Sequence, residues 1–388
     1  MKNLNILLAF LMVLFIFSSC KKDKIDISYE RYTPEDYAVL SQTLNIENDL
    51  LDYTFEFPKY YNSRSLSFDS DLATLGRVIF YDKNLSDDRT ISCASCHKQE
   101  LAFADDVAFS KGVLNRVTSR NSLALGSVFN FAEYYGDAAS GRIPFFWDNR
   151  ANTVQEQARQ TFANEQEMNM PMHKVLERVN ENDYYQILFK ETFGDSNTTE
   201  DRVLDAISEF VNSMSSYRSK YDEELDKHYE NTFNLTNIAG VNFSGFTTAE
   251  NLGKDLYVSN CGNCHGAING FPAEVKANNG LDMEYDDQGI GEMSGSSQNG
   301  VFKVPTLRNI EMTGPYMHDG RFVTLEEVVD HYSNGVQNHP NLSSQLKQSG
   351  QAKAFNFTQG EKDALIAFLN TFTDEKSLTD TKYSDPFK

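Results

Sequence analysis

Thiols, indoles and positive charge are all scarce in this 388-residue chain, which has five cysteines, one tryptophan and a formal net charge of −21. The charge excludes nucleic acid and an anionic membrane surface as partners, because each would repel it, and it leaves room for a basic partner protein. Long apolar runs are also lacking. The one candidate, residues 6–17, is too short to span a bilayer and has the length of a signal-peptide core. Low-complexity tracts are absent, and no convincing alternation of apolar and polar residues announces a series of strands. What remains is an apolar content of 40% with many aromatics, enough for substantial cores.

The start of the chain reads as a leader. Lys2 supplies a positive charge, the apolar run follows, and Phe17-Ser18-Ser19-Cys20 places small residues just before a cysteine. That ending resembles a bacterial lipoprotein signal, in which Cys20 becomes the lipidated first residue; an ordinary cleavage nearby is the alternative. Either way the expectation is an exported chain on the periplasmic side, held to a membrane by lipid only, with residues 21–70 as tether and N-terminal extension. The remaining ~368 residues suggest two domains.

The other four cysteines fall in two short motifs, Cys93-Ala94-Ser95-Cys96-His97 and Cys261-Gly262-Asn263-Cys264-His265. Both are C-x-x-C-H, the pattern that attaches a c-type haem: two thiols bond the porphyrin vinyl groups and the adjacent histidine ligates the iron. Zinc fits less well, since Cys96 and Cys261 are far apart and each pair has its own histidine. A thioredoxin-like dithiol would sit near a βαβ pattern, which is not visible, and a disulfide across so short a loop staples little. The expected cofactors are therefore two covalent haems, with His97 and His265 on the irons.

The chain also repeats itself. Leu75-Gly76-Arg77 precedes the first motif and Leu252-Gly253-Lys254 the second, each read as a short helix packing on a haem edge with glycine allowing close approach. Further on, WDNRANTVQEQ (147–157) matches HDGRFVTLEEV (318–328), with Asp, Arg, Thr and Glu at equal offsets. Helical periodicity at 203–214 and 365–372 completes an all-α expectation: two cytochrome-c-like haem domains related by an internal repeat, at 71–240 and 241–388, with the boundary in the polar stretch 231–248. On the helix after Thr324, residues Leu325, Val328, Val329 and Tyr332 share a face, and the same offsets in the first unit give Val154, Gln157, Ala158 and Thr161. His331 is rotated away from that face. Tyr332 can close the second haem, whereas Thr161 cannot close the first, and no histidine occurs between His97 and His173. An open, polar pocket over the first haem follows.

Taken in order, LGRVIFYDKNLS, SCASCH, RNSLAL, FFWDNRANTVQEQA, NEQEMNM, CGNCH and KVPTLRNIEMTGPYMHDGRFVTLEEVVDHY resemble the bacterial dihaem cytochrome c peroxidase and MauG family over residues 72–373. The resemblance implies a peroxide site at the N-terminal haem, an electron-receiving C-terminal haem and a tryptophan between them, which falls on Trp147. It places the pocket glutamine and glutamate on Gln157 and Glu167, the latter moving a proton during O–O cleavage. Glu156 is a rival for the acid, but its echo in Glu327 argues for a structural role. Calcium between the haems would be held at Asn121, Thr313 and Pro315, although RNSLAL lacks the proline usual there, and the segment before Trp147 is longer than usual. The family commonly has proline at the position of Thr161. At the position of Tyr332 many peroxidases have methionine and the MauG branch has tyrosine, so Tyr332 is the expected distal ligand of the second iron, with Met317 or Met312 as the thioether alternatives.

The leading reading is a peroxidase that reduces hydrogen peroxide to water with electrons from a small cytochrome c or cupredoxin and reacts as the fully oxidised protein; the family is often a homodimer. A MauG-like oxidase that modifies a protein substrate through high-valent haem is the alternative. A non-enzymatic electron-transfer cytochrome is a third, in which His173 or the cluster Met168, Met170 and Met172 would close the first iron.

Overall fold

The computed structural model describes residues 31–48, 51–61, 65–128, 143–235, 237–268 and 270–388. The leader, Cys20 and the first part of the tether lie outside the described residues. No helix among the described residues is long and apolar enough to cross a membrane. The fold is helix-rich, and among the described residues its strands form three two-residue antiparallel pairs: β1 (Phe55–Glu56) with β2 (Ser65–Leu66), β3 (Lys276–Ala277) with β4 (Phe302–Lys303), and β5 (Lys347–Gln348) with β6 (Gln351–Ala352).

In the first half α1 (Pro34–Thr43) leads to α2 (Ser70–Tyr81), then to α3 (Val154–Ala163), α4 (Met172–Asn180), α5 (Asp183–Phe193) and α6 (Glu200–Ser213). The second half carries α7 (Lys220–Thr232), α8 (Thr248–Asn260), the single turns α9 (Gly262–His265) and α10 (Gly291–Ser294), then α11 (Leu325–Asp330) and α12 (Gln359–Asn370). Their beginnings are encoded locally. Capping boxes at Ser219/Asp222, Thr247/Glu250, Thr324/Glu327 and Thr358/Glu361 satisfy the otherwise unpaired N–H groups of α7, α8, α11 and α12.

One helix crossing occurs twice. A Cβ at Gly76 of α2 would overlap the carbonyl of Ala206 in α6 and reach Phe210 Cβ at 2.8 Å. A Cβ at Gly253 of α8 would overlap the carbonyl of Ala364 in α12 and reach Phe368 Cβ at the same 2.8 Å. Both glycines thus serve backbone contact between two helices, not the approach to a haem edge expected from the sequence. The matching segments around 147 and 318 repeat their hydrogen bonds as well. Phe145 N–H donates to Ala151 O and Tyr316 N–H to Phe322 O, each at 2.7 Å. Arg150 binds Asp148, and Arg321 binds Asp319. The helix-start threonines Thr153 and Thr324 accept from Glu156 and Glu327 N–H.

Packing divides the chain differently from position 240. One core gathers α2, α5 and α6, and a second gathers α7, α8 and α12. Helix α7 joins the second core through the buried Tyr221 and Leu225, although it precedes the expected boundary. The C-terminal tail returns to the first: Tyr383 donates to Ser213 O at 2.6 Å, Tyr81 donates to Tyr383 O at 2.7 Å, and Arg77 Nε donates to Ser384 O at 2.6 Å. Between the cores, the fully buried Arg308 pairs with Asp222 of α7 and donates from Nε to Ser216 O at 2.6 Å.

The glycine contacts give a direct test. Alanine normally stabilises a helix interior over glycine by roughly 0.5–1 kcal/mol. Gly76→Ala and Gly253→Ala should instead destabilise by about 1–3 kcal/mol or more, because the carbonyls opposite cannot withdraw. Gly360→Ala, with nothing near its Cβ, should be neutral or slightly stabilising. Thermal unfolding of the three variants checks this, and a raised midpoint for Gly253→Ala would contradict it.

Candidate functional site

The loop that follows α2 and the end of α8 bring the two C-x-x-C-H motifs to the wall of one continuous cavity of about 400 Å³, lined by Cys93, Cys96 and His97 and by Cys261, Cys264 and His265. His97 Nδ1 lies 2.8 Å from Phe103 O, and His265 Nδ1 lies 3.1 Å from Pro305 O. A carbonyl oxygen only accepts, so in each ring Nδ1 carries the proton and Nε2 keeps its lone pair for a metal. Burial lowers the pKa of both imidazoles, that of His265 to about 4, so both are neutral and able to ligate.

Cys93, Cys96, Cys261 and Cys264 are free of disulfides. Burial pushes their thiols up, to about 12 for Cys93, Cys261 and Cys264 and about 11 for Cys96. Buried neutral thiols are a poor set for a bare ion that requires thiolates. Among the described residues no three His, Cys, Asp or Glu side chains converge as an ion site. Reduced thiol pairs beside an oriented neutral imidazole, facing one large cavity, fit a covalently attached haem at each motif.

Above the first motif the wall is polar. Gln157, Thr161, Asn164 and Glu167 all line it, as does Arg150. Gln157 Nε2 donates to Thr161 Oγ1 at 3.3 Å, one helical turn along α3, and Asn164 Nδ2 donates to Glu167 Oε1 at 3.0 Å. The Glu167 backbone is pinned by Val113 N–H donating to its carbonyl at 3.0 Å, and a Cβ at the neighbouring Gly112 would overlap the Gln166 carbonyl. Burial raises the carboxyl pKa of Glu167 above its ordinary value, against the opposing pull of Thr161, Arg150 and Asn164. Glu167 lines the same cavity as Cys93 and Cys96, and its charge adds to the rise of both thiols. Glu156 is engaged elsewhere, since its carboxylate accepts the Asn152 N–H at 2.7 Å, as Glu327 accepts that of Val323 at 2.6 Å, so both hold helix starts.

The wall near the second motif is less polar. Leu325, Val328, Val329 and Tyr332 all line it. Tyr332 sits in a single π-turn, His331–Gly335, that extends α11, and its phenol is pushed up to about 12, first by burial, with the thiols of Cys261 and Cys264 adding to the rise. His331, placed off this face from the sequence, is buried, and its Nε2 lies 3.1 Å from Asn279 O. Met317 also lines the cavity but packs with Trp147, Leu281, Tyr285 and Phe302, while Met312 is not in the wall. The residues suggested for closing the first iron are elsewhere: His173 is exposed, Met170 and Met172 are in the first core, and of the methionine cluster Met168 alone reaches the wall.

Trp147 is buried in the cavity wall, where its indole Nε1 donates to Asn121 O at 2.9 Å, and its ring meets its repeat counterpart His318 edge-on at 6.5 Å. Asn121, Thr313 and Pro315 share the same wall. The Asn121 side-chain amide donates to Val107 O at 3.2 Å, and the Thr313 hydroxyl donates to Ile310 O at 3.3 Å. Four neighbours escaped the sequence reading: Arg120, Asn279, Lys303 and Arg308. Arg120 binds Asp148, next to Trp147, and Asp287 at 2.7 Å. Lys303 is buried in the wall with Nζ donating to Pro144 O at 2.7 Å, and burial lowers its pKa to about 7. Arg120, Lys303 and Arg308 stand inside or beside recognisable motifs, so their positions were visible though their partners were not.

A helix-rich fold presenting two C-x-x-C-H motifs to one cavity defines a dihaem c-type protein. The family model described as di-haem cytochrome c peroxidase matches residues 70–230. The chain is 30% identical to cytochrome c551 peroxidase of Nitrosomonas europaea, covering 82% of this chain and 88% of that protein. It is 32% identical to methylamine utilization protein MauG of Methylorubrum extorquens, covering 78% of each. Among solved structures, a MauG-like protein associated with microbial copper homeostasis superposes with a TM-score of 0.66 at 30% identity, covering 82% of this chain and 94% of that one. The chain belongs to the dihaem cytochrome c peroxidase and MauG family.

The raised carboxyl of Glu167 has a consequence for stability. A group whose pKa is higher folded than unfolded favours the fold fully below its unfolded pKa, near ~4.3 for glutamate, and loses that contribution as pH rises through the folded value. Glu167→Gln removes the penalty, so the variant should gain stability relative to the native protein as pH climbs from about 4 into the neutral range. Denaturant midpoints of both proteins across that range measure it; a constant difference would show Glu167 to be ionised freely in the fold.

Proposed function

We propose that this protein is an exported dihaem peroxidase that reduces hydrogen peroxide to two molecules of water with two protons and two electrons, the electrons coming from a small cytochrome c or cupredoxin. The observation that carries the reading is the unequal furnishing of one cavity: a buried carboxyl of raised pKa, an amide and a hydroxyl near the first motif, and aliphatic side chains with one phenol near the second. The names of cytochrome c peroxidase relatives support the same chemistry. Haem, when bound, supplies the redox-active iron. The two halves read as cytochrome-c-like units of an internal repeat, with the periplasmic side as the working compartment and Cys20 as the lipid anchor.

The residues divide the remaining work. Glu167, held by Asn164, takes a proton from the inner peroxide oxygen and returns it to the outer one, which leaves as water. Gln157, steadied by Thr161, orients the peroxide by hydrogen bonding. His97 and His265 would each hold a haem iron, Tyr332 would be a further ligand at the second motif, and Trp147 would serve as the aromatic bridge for electrons. Asn121, Thr313 and Pro315 supply oxygens for a calcium ion. The net charge of −21 suits a basic donor, which it would attract over distance.

A second reading, a MauG-like oxidase of a protein substrate, is favoured by one observation: Tyr332 lines the cavity wall with Leu325, Val328 and Val329, whereas Met317 packs with Trp147, Leu281, Tyr285 and Phe302. Steady turnover with a reduced small donor supports the peroxidase; oxidising equivalents that persist after peroxide, without a donor, support the oxidase.

The experiment for the first reading is peroxide turnover by Glu167→Gln. Haem content should be intact and turnover should fall about 10²-fold or more, the scale of a lost general acid–base group. Unchanged turnover would remove Glu167 from the reaction.

A further inference from the structure

Two side chains, Tyr332 and Met317, compete to close the second haem, and a single amide adjoins both. Asn279 follows β3 and has a rigid backbone. On one side Asn278 accepts the Gly280 N–H at 2.9 Å and donates to Gly300 O at 2.7 Å. On the other, Gly280 stands at φ +68°, where a Cβ would come within 2.7 Å of Gln337 O. From this fixed base the Asn279 side chain donates Nδ2–H to Met317 Sδ at 3.4 Å. The same residue shares the cavity wall with Tyr332. The Asn279 carbonyl meanwhile accepts from His331 at 3.1 Å, which fixes the π-turn that carries Tyr332.

We propose that Asn279 is the positioning residue that selects the distal ligand of the second haem, tethering the Met317 sulfur among the aromatic side chains around Trp147 and leaving the place beside Cys261 and Cys264 to Tyr332. The hydrogen bond engages a sulfur lone pair and holds the flexible thioether at a set place, which weakens it as a competitor. The Met317 backbone is itself fixed at φ +75°, so freedom to reach the iron resides in its side chain, the part that Asn279 restrains. Because a thioether ligand raises the potential of a haem and a phenolate favours its oxidised forms, this one amide sets how readily the second haem accepts electrons. The proposal rests on the reading of two attached haems given above.

The test uses the oxidised holoprotein with haem content measured first. Wild type and Met317→Leu should both lack the long-wavelength charge-transfer band of a thioether-ligated ferric haem. Asn279→Leu should gain that band together with a higher midpoint potential at the second haem, and Asn279→Leu/Met317→Leu should lose both. Asn279→Ala, which adds no branched side chain, should show the same gain and stands in if leucine prevents folding. Spectra of Asn279→Leu or Asn279→Ala identical to wild type would overturn the proposal, and so would a thioether band in the wild type that Met317→Leu abolishes. Fewer than two haems per wild-type chain would instead overturn the haem reading beneath it.

Discussion

The buried pair of Arg308 and Asp222 is the interaction on which the relation between the two halves depends. Arg308 is sealed from solvent, stands 4.6 Å from the centre of the Tyr217 ring, and donates to Ser216 O just beyond α6. Asp222, in turn, accepts from Tyr60 Oη at 2.7 Å and from Ser219 N–H at 3.0 Å. A buried ion pair contributes little net stability unless its remaining hydrogen bonds are met, and losing one partner costs about 3–5 kcal/mol. With these bonds made, it acts as a locator. Pro305, whose carbonyl orients His265, is three residues before Arg308, so the partner of the second-motif histidine lies in the same short segment as the buried charge that joins α7 to the end of α6.

Backbone features shared by the two halves, with different side chains facing the cavity, account for the site. Backbone features are shared: the glycine crossing at Gly76 and Gly253, the threonine caps at Thr153 and Thr324, the capping carboxylates Glu156 and Glu327, and the arginine–aspartate pairs after Trp147 and His318. Side chains facing the cavity differ, with Gln157 and Thr161 where the second half has Val328 and Tyr332. Such a division lets the same packing stand in both halves while the chemistry near each motif differs, since altering a cavity-lining side chain disturbs fewer contacts than altering a helix crossing.

This division also explains what could be read from the sequence. The two C-x-x-C-H motifs are local and their residue types are specific. The face holding Leu325, Val328, Val329 and Tyr332 is set by helical spacing, and the structural role of Glu156 followed from its echo. Hidden were the partners that are backbone carbonyls: Phe103 O and Pro305 O for the histidines, Ala206 O and Ala364 O for the glycines, Asn121 O for the indole. Every residue has a carbonyl, so no side-chain type marks the one that will be used. Asn279 was hidden for another reason, being an ordinary asparagine in an irregular segment whose importance comes from three neighbours at 317, 331 and 332. The return of the C-terminal tail onto α2 and α6 is a long-range contact without periodicity to betray it.

Burial acts on the cavity's two titratable oxygens in the same direction, yet with different results. For Glu167 it raises the carboxyl pKa, the direction that the proposed proton transfer between two peroxide oxygens would call for. For Tyr332 it lifts a phenol to about 12, away from ionisation, so that any phenolate there depends on a nearby metal charge and on the Asn279 amide that opposes burial. The carboxyl's surroundings adjust it with three polar neighbours, whereas the phenol is left to one. A single low-polarity cavity can therefore serve a proton-transfer site at one end and an electron-receiving site at the other, because the few polar side chains placed in it, and not its general character, decide which group changes charge.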